Sequence, residues 1–289
     1  MVAPARKGAF GILCCPVCRA DLTLAGGSLV CTRGHSFDLA RSGYVNLTFG
    51  RSRRAAASGD TSAQLQHRST FLGSSRFDFI SDEILRQVRA GGWTVSVSQR
   101  CVLDAGCGTG YHLGRIAGDR LDGAATYGLG LDLSKQAVRM ASRDLENLGF
   151  AVTDLWAEWP VRSGSVDLVL NLFAPKNFAE MARVLTSEGL LAMAYPGAQH
   201  LIELRQAFGL MGIEAGKAER YRRAAQRSFR EIRRTRFRRH ADLSADDVVN
   251  VIWMGPNATR VAPDLLVPAS AMSVTFDVEI LFARFPQSG

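Results

Sequence analysis

Lysine is scarce in this 289-residue chain, with four lysines against 31 arginines. No apolar run approaches the ~18 residues that span a bilayer as a helix, so a helical membrane span is not expected. The chain has no Gly-x-x-x-x-Gly-Lys-Ser/Thr loop and no Gly-x-Gly-x-x-Gly, which argues against a P-loop nucleotide hydrolase and a dinucleotide dehydrogenase. It also has no internal repeat and no low-complexity segment, so a solenoid or a disordered tail is not expected either. Arg6 and Lys7 precede the apolar stretch Ala9–Cys15 as they would in a secretory leader. That stretch is short, lacks a small-residue cleavage site and runs directly into a cysteine motif. A cytoplasmic protein with no membrane partner is the expectation.

What remains is a composition that can fold. Apolar residues make up 47% and charged residues 21%, enough for a large domain plus a small one. The net charge of +8 is concentrated in one place, since Arg220–Arg239 holds ten arginines and a single acid, Glu231. Such a run is either a solvated surface or the electrostatic footprint of a polyanion.

Six cysteines stand at 14, 15, 18, 31, 101 and 107. In a cytoplasmic chain, closely spaced cysteines point to metal or redox chemistry more than to disulfides. Cys15-Pro-Val-Cys18 and, after twelve residues, Cys31-Thr-Arg-Gly-His35 offer three thiolates and one imidazole. That is a complete tetrahedral shell for one structural zinc ion with no open position. Cys14 could replace Cys15, although the two-residue gap from Cys15 is the commoner knuckle. Leu22-Thr-Leu24, Gly26-Gly27 and Ser28-Leu-Val30 read as a hairpin, giving a zinc-ribbon unit over residues 1–50. So small a unit would draw much of its folding free energy from the metal.

Residues 51–100 read as a linker with a lead-in helix over Asp78–Arg89 that ends at Gly91-Gly92. From 101 to 289 the pattern is that of a Rossmann-like α/β domain. The buried strand Cys101–Ala105 leads into Asp104-x-Gly106-x-Gly108-Thr109-Gly110, a loop whose glycines let backbone approach a ligand closely. A second strand, Thr126–Asp132, ends in a carboxylate 26 residues beyond Gly106, placed to accept hydrogen bonds from ribose hydroxyls. Ser134 caps the next helix. Further strands are Val166–Leu172 and Gly189–Tyr195, with an amphipathic helix over Asn177–Leu185 between them. Ser273–Phe285 alternates and reads as a half-exposed strand. A doubly wound sheet binds its ligand at the carboxyl ends of its strands.

Strand, glycine loop, helix, strand and acid in this order resemble the class I S-adenosylmethionine-dependent methyltransferases. The ribbon sharpens the resemblance. Cys31-x-x-x-His35-x-Phe37-Asp38-x-Ala40-x-x-Gly43-Tyr44-Val45-Asn46-Leu47 is similar to the ribbon-to-linker segment of the RlmA family of ribosomal RNA methyltransferases. Gly59-Asp60-Thr61-Ser62, Arg68-x-x-Phe71-Leu72, Pro196-Gly197-x-x-His200-Leu201 and Met254-Gly255-Pro256 extend the likeness over nearly the whole chain. Met254-Gly-Pro stands where that family leads one to expect Met-Thr-Pro. The resemblance implies methylation of N1 of a guanine in hairpin 35 of 23S rRNA, at nucleotide 748 or 745. The 748 branch includes self-protection enzymes against tylosin-like macrolides, and an arginine-rich sequence from a GC-rich genome suits it better.

The same resemblance implies S-adenosylmethionine contacts at Asp104, Gly106, Gly108, Thr109 and Gly110 in the loop, at Asp132, at Phe77 of the lead-in helix, and at His200. It puts Asp154 or Leu155 near the adenine. Asn171 and Pro175, at the end of the fourth strand, are where such folds meet the target base. Phe77 could instead be core, His200 a helix cap, and Asn171 a strand-ending turn. Arg233, Arg234, Arg238 and Arg239 are the candidate RNA contacts. No His–carboxylate pair has a spacing that marks a general base, and a homodimer is left open. Two other readings compete: a small-molecule methyltransferase, and a non-catalytic S-adenosylmethionine sensor that binds nucleic acid.

Overall fold

A computed structural model describes residues 4–48, 60–91, 99–118, 121, 124–214, 216–259 and 270–285. Gly59 and Gly92, singled out from the sequence, lie outside the described residues.

The ribbon comprises β1 (Leu22–Ala25), β2 (Ser28–Cys31) and β3 (Ser36–Asp38), an antiparallel sheet in that order. Gly26 and Gly27 turn the β1–β2 hairpin. Helix α1 (Pro4–Phe10) precedes the ribbon, and β4 (Val45–Asn46) follows it.

The main sheet has eight strands in the order β10–β11–β9–β8–β5–β6–β7–β4. They are β5 (Gln99–Ala105), β6 (Ala125–Asp132), β7 (Gly149–Val152), β8 (Val166–Leu172), β9 (Leu185–Pro196), β10 (Arg230–Leu243) and β11 (Met272–Arg284), with β4 at one edge. From β4 to β9 the neighbours are parallel, while β9–β11 and β11–β10 are antiparallel. After the edge strand β4 the chain crosses to β5, runs outward through β6 and β7, and returns to β8 and β9. The order therefore reverses between β5 and β8, and ligands of open α/β sheets bind in the crevice this reversal creates.

One apolar layer lies under α2 (Ser62–Gly73), α3 (Asp78–Gly91), α4 (Tyr111–Ala117), α5 (Lys135–Asp144), α7 (Ile202–Phe208) and α9 (Ala245–Trp253). The other lies under α1, α6 (Phe178–Val184), α8 (Lys217–Ala225) and part of the ribbon. The sequence divides at residue 50, but Val45–Asn46 pair with β7 and α1 packs on β6 and β7. Arg6 fastens the joint. Its guanidinium donates to the carbonyls of Ser42, Ser142, Leu145 and Leu148, closing the C-terminal end of α5 against the loop that leaves the ribbon.

Two sequence expectations change. Ser273–Phe285 does not make a half-exposed strand. β11 lies between β9 and β10 with both faces covered, so Thr275 and Asp277 are buried. Its alternation reflects a polar network within the sheet, not solvent on one face. The Arg220–Arg239 stretch divides between α8 and β10. On α8, Arg220 pairs with Glu214, and Arg222 and Arg223 pair with Glu219. On β10, side chains alternate between faces. Arg233 reaches Gln87 and Arg239 covers the rings of Phe79 and Phe237 on the α3 face, whereas Arg236 and Arg238 turn to Asp277 on the other. Arg233, Arg234, Arg238 and Arg239 are all exposed, yet they do not form one patch.

Among the described residues, no helix is long and apolar enough to cross a membrane.

Candidate metal centre and cofactor cradle

In the ribbon, the ligand atoms of Cys15, Cys18, Cys31 and His35 lie within 4.8 Å of one another. Cys18 Sγ is 3.7 Å from Cys31 Sγ, and His35 Nδ1 is 3.6 Å from Cys15 Sγ and 3.4 Å from Cys31 Sγ. A tetrahedron with zinc–sulfur bonds of ~2.3 Å has edges of roughly 3.7 Å, so four atoms at these separations fit that ion. Cys14 is not among them. Its backbone N–H donates to Pro160 and its buried thiol is pushed up by burial. Burial also raises the Cys31 thiol, but hydrogen bonds from Arg33 and His35 outweigh it and bring the thiol down to about 6. The knuckle docks on the main body through Arg19, which donates to Trp159 and Val161 carbonyls and pairs with Glu158.

At the carboxyl end of β5 the glycine loop turns over β6. The N–H groups of Gly106 and Cys107 donate to Leu131, and Gly108 N–H donates to Asp132 Oδ2 at 2.9 Å. Ser134 N–H donates to the other carboxylate oxygen at 2.8 Å. Asp132 is thus fixed beneath the loop, although burial still raises its pKa. Gly106 has φ +95°, and a Cβ there would sit 2.2 Å from the Ala174 Cβ. No other residue fits, because the loop after β8 closes directly on the cradle. Thr109 is half-buried and Gly110 starts α4.

Asp104 lies just inside. It is buried, its Oδ1 has no partner among the described residues, and its pKa is pushed up to about 8 by burial and then by the charge of Asp132. An unpaired buried carboxylate oxygen is costly unless a ligand's donor reaches it. A cationic amino group is the chemistry this position suits.

Two segments 186 residues apart meet above the loop. Arg68 pairs with Asp60 and donates to the Met254 carbonyl at 2.8 Å, while its guanidinium lies 3.4 Å from where a Gly108 Cβ would be. The capping box of Thr61 and Gln64 that starts α2 was a readable signal for this helix. On the neighbouring side, Leu155 lies against Gly106, whereas Asp154 Oδ1 accepts from the N–H of Trp156.

Beside the cradle stands an aromatic group not foreseen as a set. Phe77, Phe173, His200 and Phe276 lie within 5.1–6.3 Å of one another between the ring-centroid pairs in contact. Phe77 and Phe276 are buried, but Phe173 is 41% exposed with φ +55°. A bulky residue held there stores strain of about 1–3 kcal/mol, which is common where a ligand is met. His200 Nδ1 accepts from the N–H of Asp277 at 3.3 Å, and burial lowers its pKa to about 4, so the ring is neutral. Asp277 also takes Gln199 N–H and both arms of Arg236. Gly197 permits this, since a Cβ there would fall 2.5 Å from the carboxylate.

Asn171 changes role. Its carboxamide is buried, donating to Ala105 and Pro175 carbonyls and accepting from Lys176 Nζ at 2.6 Å. It therefore shapes the loop after β8 with both amide hydrogens taken, while Pro175 is exposed on that loop. Lys176, which no spacing rule marks, also donates to Ala174 and faces the Tyr221 ring. Burial, helped by Lys217, lowers its pKa to about 7.

Comparison with known proteins agrees with this layout. Residues 13–49 match the zinc-ribbon family described as RlmA, N-terminal, and residues 102–189 match a methyltransferase domain. A Streptomyces fradiae 23S rRNA (guanine(748)-N(1))-methyltransferase is 34% identical, covering 94% of this chain and 98% of its own. A Micromonospora griseorubida protein, named provisionally as a 23S rRNA (guanine-N(1)-)-methyltransferase, is 36% identical over 94% of this chain and 96% of its own. Among solved structures, the YcgJ protein of Bacillus subtilis superposes with a TM-score of 0.50 at 14% identity, covering 72% of this chain and 99% of that one, a likeness of fold alone.

Proposed function

Since the chain belongs to the RlmA family of 23S rRNA (guanine-N1) methyltransferases, we propose that it methylates N1 of guanine 748 in hairpin 35 and thereby protects against tylosin-type macrolides. The observation that carries this reading is the near full-length likeness to the Streptomyces fradiae 748 enzyme. The ring of cradle residues supports it.

S-adenosylmethionine supplies an activated methyl group at its sulfonium centre, and one zinc ion is the structural metal. The unpaired Asp104 oxygen and the Cβ-free approach at Gly106 fit the amino-acid end of that cofactor. Gly108, Thr109 and Gly110 would lend backbone to the same end, and Asp132 would accept from the ribose hydroxyls. Phe77 and His200 wall the site on the aromatic side, with Asp154 at the adenine end. Methyl transfer of this kind needs chiefly alignment of donor, carbon and acceptor nitrogen. The guanine must leave its stack to reach the cradle, and recognition of splayed bases uses stacking aromatics. Phe173, exposed at the end of β8, is the side chain suited to that stacking.

N1 of guanine carries a proton that must be lost. Lys176, on the loop that also carries Phe173, has its pKa lowered to about 7 by burial and is the candidate to receive it. Rates should then rise through about pH 7 in the parent and lose that limb in Lys176→Met, as a pH profile of kcat/KM will record. A profile unchanged by the substitution would remove Lys176 from the proton path.

The reaction class is tested by incubating the protein with labelled S-adenosylmethionine and naked 23S rRNA, DNA or a metabolite extract. Label in the ribosomal RNA alone is expected. Label in the metabolite fraction would favour a small-molecule enzyme, and binding without transfer would favour a sensor.

A further inference from the structure

A basic cleft lies away from the arginine-rich strand. A cleft of about 1670 Å³ opens between the ribbon and α5. Besides the buried Arg6, its cations come from three separate stretches of sequence: Lys7 from α1, Arg41 from the loop leaving the ribbon, and Lys135, Arg139 and Arg143 from α5. All five are exposed, and Glu146 is the one acidic residue among those that line it. No ion pair is formed by any of the five among the described residues.

The arrangement on α5 is specific. Positions 135, 139 and 143 follow at intervals of four, so they rise along one helix face roughly 6 Å apart. A row of like charges at that spacing weakens the helix that carries it. Among the described residues no ion pair relieves it, whereas the arginines of α8 are each answered by Glu214 or Glu219. The walls of the cleft are also fixed to one another. Arg6 joins the Ser42 carbonyl to those of Ser142 and Leu145, and Ser142 Oγ donates to Ser42 as well. The cleft is a preformed groove of positive charge, and its α5 wall begins three residues after Asp132, at the edge where the cradle opens.

Resting on the RNA substrate proposed above, we infer that the groove between the ribbon and α5 binds the phosphate backbone of the RNA. Phosphate contacts position a nucleic acid without reading its sequence. The ribbon therefore acts as one wall of the RNA site, and zinc holds that wall in shape.

The test compares the parent with the triple variant Arg41→Ser, Arg139→Ser, Arg143→Ser, using a 23S rRNA fragment containing hairpin 35. Binding is measured across a salt series, with S-adenosylmethionine affinity and zinc content as controls of folding. The parent should show a steep fall of log affinity with log salt. Three lost contacts should flatten that slope by roughly 2 to 3 and weaken binding at low salt. Cofactor affinity and one zinc per chain should be retained. A variant that binds RNA like the parent, with the same slope, overturns the groove, and so does a loss found only on replacing Arg233, Arg234, Arg238 and Arg239. Methyl transfer is scored separately. A parent that binds the fragment with a groove-dependent slope but transfers no methyl would contradict the proposed reaction and leave the groove standing.

Discussion

The metal knot and the cofactor cradle are built on opposite plans. In the knot, four donors from residues 15–35 converge on one point. Without an ion, three thiol groups and an imidazole would crowd each other, so the ligand makes the structure. In the cradle, backbone from β5, β6 and the loop after β8 is already bonded and packed, and one oxygen of Asp104 is without a partner among the described residues. There the structure comes first and the ligand answers it. A site of the first kind fails by unfolding, and a site of the second kind fails by losing affinity.

Removing the metal should therefore have the largest effect. Metal binding contributes about 10–16 kcal/mol in small zinc-finger peptides. Chelation, or Cys18→Ser, should strip the zinc and expose the amides of β1–β3 to hydrogen exchange. S-adenosylmethionine affinity should stay within about threefold, because the loop rests on β6. A Cys18→Ser protein that retains one zinc per chain would break the ligand assignment, and a collapse of cofactor affinity would erase the contrast.

Gly106→Val attacks the other site. It adds a side chain where the Ala174 Cβ stands and requires φ +95° of a β-branched residue. Strain and overpacking together should cost about 3–5 kcal/mol, read as a loss of cofactor binding by calorimetry with zinc retained. Normal affinity would mean that the loop does not face the cofactor.

Arg6 tests whether the two regions communicate. Arg6→Ala takes the guanidinium from four carbonyls, of which Ser42 keeps Ser142 Oγ and Leu145 keeps Leu148 N–H, and should destabilise the protein by about 2–3 kcal/mol. Hydrogen exchange should rise at both the ribbon exit and the end of α5. Exchange confined to one side would show that the joint is held by β4 alone.

The smallest effect sharpens the cradle. Asp104 has a folded pKa of about 8, well above its unfolded value, so the folded cofactor-free protein holds the extra proton between those limits. The stability it contributes is present at low pH and is lost as pH rises toward and through about 8. Thermal unfolding across that window should show the decline in the parent and a flatter course in Asp104→Asn. Cofactor binding should release a proton near pH 7, seen as a buffer-dependent binding enthalpy. Absence of both effects would mean that Asp104 is ionised throughout.

These contrasts also explain what the sequence disclosed. The knot was legible because its four ligands sit close together along the chain. The glycine loop and Asp132 were legible because each stands at the end of a short apolar strand. Helix α2 lay in the stretch read as linker because its apolar face is weakly marked, and α9 drew no expectation, although Thr61-x-x-Gln64 and Ser244-x-x-Asp247 carry capping boxes. β10 was hidden by arginine on both of its faces, and β11 was misread because its polar positions answer Arg236, Glu203 and His200 inside the fold. The aromatic group, the Arg68–Met254 contact and the cleft beside α5 each join residues far apart in sequence. No local pattern encodes them.

The account stands on one claim: that this cradle, fed by this ribbon, methylates a single guanine of ribosomal RNA. The direct measurement is mass-spectrometric mapping of 23S rRNA after reaction with the purified protein and labelled S-adenosylmethionine. One new methyl group on N1 of guanine 748 is the predicted result. Label at another base or position, or none on rRNA that lacks the modification, would contradict it.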